Sequence, residues 1–168
     1  MPILVLKHSQ AQAMSSAFTR ENDENESIED IGERPVSPHR NLVTPEGLAQ
    51  IEAELEAARV ALAKAEQERS RRAIALAARD LNYWSARRAN SELVHPIADK
   101  GEVRFGHTVI VKTKAGAKET FRIVGEDQAD PAKGLIPHVA PLAKALLGKE
   151  VGDSVEVKHE KAKIVEIK

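Results

Sequence analysis

Between residues 44 and 93 the apolar positions recur at alternating steps of three and four: Leu48, Ile51, Leu55, Ala58, Leu62 and Ala65. That spacing keeps one face of a helix apolar and predicts a single packing seam. Upstream, Thr44 suits an N-cap, Pro45 the first helical position, and Glu46 the positive end of the helix dipole. The next two seam positions are Arg69 and Arg72, where the apolar series stops. A second series begins at Ile74 and runs through Ala77, Leu81 and Trp84, drifting to Ala89 and Leu93. Two such seams predict an antiparallel helical hairpin with its apex at 67–72. Neither Gly nor Pro marks that turn, so one continuous helix is the alternative. Alanine-rich seams let helices approach closely but bury little area, so the hairpin is expected to lean on another structure at its base.

From residue 95 onward the period changes. HTVIVKT, ETFRIVG, SVEVK and AKIVEIK alternate or run apolar at strand length, with Val, Ile, Thr and Phe prominent. The segment 114–117 reads as a hairpin turn between the first two. Further on, Pro141 opens a short helix, Gly148 ends it, and Val-Gly-Asp turns the chain into a strand over 154–158. The expected domain is α+β, an antiparallel sheet of about five strands with one short helix packed on it. Residues 1–40 stand apart. ENDENESIEDIGE is dense in carboxylates, and ERPVSPHR follows with two prolines. This reads as a disordered acidic tail, or as an acidic arm that competes for a basic partner surface. Met14 is an alternative first residue. The organisation is then a tail over 1–40, a hairpin or coiled coil over 41–94, and a sheet domain over 95–168.

Composition narrows the chemistry. The 168 residues include no cysteine, which excludes disulfides, thiolate catalysis and cysteine-ligated zinc and fits a reducing cytoplasm. Aromatic residues make up 3%, against a stacking platform for single-stranded nucleic acid. The net charge of −1 argues against a dominant phosphate-binding surface. MPILVLK leads to no small-residue cleavage site, and nothing approaches the ~18 apolar residues of a membrane span.

No catalytic constellation emerges, and no enzyme is expected. The histidines (His8, His39, His95, His107, His138 and His159) nowhere share ligand spacing. Glu126, Asp127 and Asp130 crowd oxygens into one loop, but without the alternate positions and distal glutamate of a calcium loop, so a solvated turn is expected. GEVRFG lacks the third glycine of a dinucleotide loop, and Ser154 lies in no nucleophile elbow. No metal and no cofactor is expected.

VRFGHTVIV, TFRIVGEDQAD and APLAKALLGKEVGDSVEV resemble the C-terminal domain of the bacterial Gre transcript-cleavage factors. VTPEGLAQIEAEL and ARDLNYWSARRANSELV resemble the two ends of that family's coiled coil, which extends the resemblance over about Leu42 to Lys168. It implies an FKBP-like C-terminal fold that docks on the rim of the RNA polymerase secondary channel, with the coil reaching towards the active site. The implied docking surface is the strand-to-helix corner at Pro137, Val139, Pro141 and Leu142. Pro141 and Leu142 match the family, whereas a polar residue and an aspartate often stand at 137 and 139.

The apex departs further. Cleavage-stimulating members carry an acidic pair there, suited to a hard cation. Here the sequence is EQERSRRA, with Glu66 and Glu68 followed by Arg69, Arg71 and Arg72. These arginines read either as a solvated helix face or as a contact for nucleic acid or an acidic channel wall. The coil is also shorter by roughly ten residues per arm, or ~15 Å of reach. Both features are similar to the short-coiled Rnk-like regulators of nucleoside diphosphate kinase. The expectation is a monomeric cytoplasmic regulator of bacterial core RNA polymerase that does not stimulate cleavage, with DNA binding or indirect contact to nucleic acid and none to membrane. The alternatives are a genuine cleavage factor using Glu66 or Glu68, and a regulator of nucleoside diphosphate kinase. A peptidyl-prolyl isomerase would follow from the fold alone, but Tyr83, Trp84, Phe105 and Phe121 are too few and too scattered for its pocket.

Overall fold

The computed structural model describes residues 31–168. Most of the expected acidic tail, up to residue 30, therefore lies outside the described residues. The described chain divides into two compact units, one built on Ala58–Tyr83 together with residues 31–35, the other on Val36–Ala57 and Trp84–Lys168. Helices α1 (Pro45–Glu68) and α2 (Arg71–Ala89) contribute to both. No described helix is long and apolar enough to cross a membrane.

Thr44 caps α1 as its sequence predicts. Its hydroxyl accepts from the Gly47 amide at 3.0 Å, and its carbonyl accepts from Leu48 at 2.9 Å. Ile51, Leu55, Ala58 and Ala65 are buried along the predicted seam. The helix ends in a Schellman arrangement: the Ser70 amide donates to Ala65 O at 3.2 Å and the Arg69 amide to Glu66 O at 3.1 Å. Arg69 takes the left-handed conformation (φ 54°) that usually calls for glycine. Ser70 then caps α2, with its hydroxyl accepting from the Ala73 amide at 3.3 Å. The turn is thus two residues long, and the continuous-helix alternative is set aside. In this first unit Arg34 pairs with Asp80 at 3.4 Å and lies 3.8 Å over the Tyr83 ring.

The drift predicted for the second seam is corrected. Ala89 and Leu93 are exposed, and the buried position at the end of α2 is Arg87. Counting three on from Trp84 reaches Arg87, so periodicity does place it inside. Its charge hid the fact.

In the second unit, strands β1 (Asn41–Val43) and β2 (Ser91–Leu93) flank the helices in sequence and pair in parallel, Leu42 opposite Glu92. Five further strands follow: β3 (Thr108–Thr113), β4 (Lys118–Val124), β5 (Leu135–Pro137), β6 (Ser154–Val157) and β7 (Glu160–Ile167). They form one sheet in the order β5-β4-β3-β7-β6. The expected antiparallel sheet is in fact mixed, because β5 runs parallel to β4 with Arg122 opposite Leu135 and Val124 opposite Pro137. A parallel pair needs a crossover, and the GEDQADPAKG segment supplies it through two 3-10 turns, Glu126–Gln128 and Pro131–Lys133. The short helix α3 (Pro141–Leu146) buries Ala143 and Leu146 against a core that includes Val109, Val111, Ile123, Ile164 and Val155. Gly148, at φ 75°, ends it; its amide donates to Val103 O and the Val103 amide to Lys149 O.

Candidate functional site

The residues singled out by resemblance fall into two groups, one in each unit. The first is the corner between β5 and α3. Pro137 ends β5 opposite Val124, the His138 amide donates to Val124 O at 2.9 Å, and the Ala140 amide donates to Pro137 O at 2.9 Å. Two closely spaced prolines and these bonds give the corner little conformational freedom. Pro141 is exposed, Pro137 and Val139 are half-buried, and Leu142 is half-buried with part of its side chain packed on the core. Past the helix, Leu147 and Val151 are also large exposed apolar residues, and the family pattern did not draw attention to them. The corner offers apolar shape and no reactive group.

Behind the corner lie groups that sequence reasoning missed. Arg87 is 1% exposed. Its Nε donates to Asp127 Oδ2 at 2.6 Å, its Nη2 donates to Asn41 Oδ1 at 2.6 Å, and the same Nη2 lies 3.7 Å from Glu126 Oε2. Asn41 answers through its side-chain amide, which donates to the Arg87 carbonyl at 2.8 Å, and the Ser37 hydroxyl donates to Glu126 Oε1 at 3.0 Å. The loop 126–130 is therefore no solvated turn: two of its carboxylates hold a buried guanidinium, and Asp130 pairs with Lys133 at 2.9 Å. The loop presses on β1 so closely that a Cβ at Gly125 would sit 2.5 Å from the Leu42 carbonyl oxygen. This ties the end of α2, strand β1 and the crossover loop together just ahead of the corner.

His138 sits in the corner itself, its ring edge-on to Phe105 at 5.8 Å. Its Nδ1 is buried without a hydrogen-bond partner. Burial holds the imidazole below its ordinary value of 6.5, while the nearby Glu126 carboxylate pulls the other way. His107 is fully buried: its Nδ1 accepts from the Arg104 amide at 3.2 Å and its Nε2 lies 3.0 Å from Ile97 O. Both ring nitrogens are engaged with backbone, which makes it a structural histidine.

The second group is the turn between α1 and α2. Arg69, Arg71 and Arg72 are exposed there, as are Glu66 and Glu68, with Glu68 3.8 Å from Lys64. Among the described residues no cluster of carboxylates or imidazoles is arranged to hold a metal ion.

Comparison with known proteins places these features. Residues 98–168 match the family model "Transcription elongation factor, GreA/GreB, C-term". Transcription elongation factor GreA of Jannaschia sp. is 45% identical over 69 residues, 40% of this chain and 44% of that protein. GreA of Nautilia profundicola is 55% identical over 56 residues, 33% of this chain and 35% of that protein. The chain thus spans less than half the length of these relatives. Among solved structures, a GreA/GreB elongation factor of Nitrosomonas europaea aligns over 77% of this chain and 98% of its own, with 20% identity and a TM-score of 0.39. The sequence match runs through the whole sheet domain, the β5–α3 corner included, and residues 98–168 are similar to the C-terminal domain of the GreA/GreB elongation factors.

Proposed function

We propose that this protein is a Gre-type regulator of transcription elongation that binds bacterial core RNA polymerase through the β5–α3 corner of its C-terminal domain and does not stimulate transcript cleavage. The observation that carries the reading is the family match over 98–168, which contains the corner, combined with an apex where three exposed arginines follow Glu66 and Glu68. A docking surface needs shape and apolar contact rather than reactive groups, and Pro137, Val139, Pro141 and Leu142 supply those. The apex would have to bring carboxylates to a magnesium ion for cleavage, and Arg69, Arg71 and Arg72 oppose a cation there. In this reading the protein carries no chemistry of its own. It acts in the cytoplasm by occupying the channel mouth on the polymerase.

The test uses stalled elongation complexes with a labelled transcript. Saturating amounts of the full chain should give no shortening from the 3′ end, and should suppress the shortening produced by an added GreA factor. Magnesium-dependent shortening by this protein, lost in Glu66→Ala or Glu68→Ala, would instead assign it to the cleavage factors.

A further inference from the structure

The sheet carries, on its solvent face, a set of lysines that neither the corner nor the apex uses. Lys118 on β4, Lys112 on β3 and Lys163 on β7 are direct cross-strand neighbours. Lys161 follows on the same face of β7, and Lys114 stands in the adjoining turn. All five are exposed, and among the described residues none is paired with a carboxylate. An open hollow of about 310 Å³ lies among Lys112, Lys114, Lys161 and Lys163. Thr113 lines it as well.

Like charges directly opposite one another destabilise a sheet. A row of three spends stability that a threonine at any of the three positions would restore, which is unexpected on a face with no binding role. We propose that this face binds a nucleic-acid duplex through its phosphates, without reading sequence. Neighbouring strands are about 4.8 Å apart, so the row spans about 10 Å, over which a duplex presents about six phosphate charges. Flexible lysine stems adapt to a backbone of that charge density. Other outward positions are held by Ile110, Thr120, Ser154 and Val165 and by two carboxylates, Glu156 opposite Lys161 and Glu166 opposite Ile110, with no aromatic residue on which an unpaired base would stack. The neighbouring Arg122 is already engaged, by Glu46 and the Gly106 carbonyl. An acidic protein partner would call for apolar or aromatic anchors at the centre of the patch, whereas phosphate-dominated binding does not. The proposal stands on residues distinct from the docking corner and survives if that assignment fails.

The experiment is fluorescence anisotropy of a labelled mixed-sequence duplex of about 24 base pairs with the full chain, from about 50 to about 200 mM salt. Binding should weaken steeply with salt. Lys112→Gln/Lys118→Gln/Lys163→Gln should lose at least about tenfold in affinity at the lowest salt and flatten the log–log salt slope by about 3. Lys112→Gln alone should shift both in the same direction. Lys144→Gln/Lys149→Gln, removing two exposed lysines outside the face, should bind like the parent. The triple variant should melt no lower than the parent, because a repulsion has been removed. The proposal is overturned if the parent does not bind the duplex at low salt, or if the triple variant binds as the parent does. Tighter binding of poly-glutamate or of the single strand than of the duplex would overturn it equally, assigning the face to an acidic polypeptide or to unpaired nucleic acid.

Discussion

Arg87 shows how much one side chain decides. A guanidinium with 2% of its side chain exposed is tolerable only because Asp127, Asn41 and Glu126 surround it. Removing one member of such a buried pair strands the other, at about 3–5 kcal/mol. Arg87→Met should therefore destabilise the fold by about that amount in urea unfolding, and Arg87→Met/Asp127→Leu should recover a good part of it. Equal loss in the single and double variants would show that the contact contributes packing rather than charge compensation. His138 acts by pH. Its folded ring binds a proton more weakly than the unfolded one, so on acidification the unfolded chain takes up the proton first. Stability should be unaffected by this ring above about pH 6.5 and should fall below it, until the folded ring protonates too. His138→Gln should make the urea midpoint less sensitive to pH between about 7.5 and 5.5. An unchanged slope would contradict the buried neutral ring. Neither residue was legible beforehand. Arg87 was passed over because a charge at an inward position is not read as core, and the partners that permit it there lie 40 and 46 residues away along the chain.

At the level of elements the start of α1 and the region of the turn were legible, because Thr44-Pro45-Glu46 is a strong start and the apolar seam stops at a charged pair, whereas the helical pattern was carried to 93 and α2 ends at Ala89. The turn was harder. Arg69 adopts a conformation that disfavours an L side chain, and its job is done by the Schellman bonds and by Ser70 rather than by a glycine. Ser70 was the available signal, a capping residue four positions ahead of a new apolar series. Arg69→Gly should stabilise the protein by up to about 1 kcal/mol through relief of the left-handed strain, offset in part by the freer unfolded chain. Thermal melts followed by circular dichroism measure it, and a lower midpoint would mean that the arginine side chain itself holds the turn. The second hairpin, β6–β7, repeats the pattern: Lys158 and His159 both have positive φ (50° and 69°) where Asn-Gly is usual. The parallel strand pairs escaped notice because β1, β2 and β5 are three residues each, too short for a periodic signal.

For the molecule as a whole, the sheet domain was legible because long ordered runs such as APLAKALLGKEVGDSVEV tie strands, corner and helix into one recognisable unit. Charge was not. A net value of −1 concealed five lysines brought together by strand register, since register is a property of pairing and not of composition. The reading of the protein rests finally on its docking to RNA polymerase, and direct binding of the full chain to bacterial core enzyme measures that. Binding should be saturable, should be displaced by a GreA factor, and should weaken about tenfold or more in Pro141→Glu with helix content unchanged, as expected for a charge placed at the centre of an apolar contact. No binding to the core enzyme, or binding that GreA does not displace and Pro141→Glu does not weaken, would contradict the account.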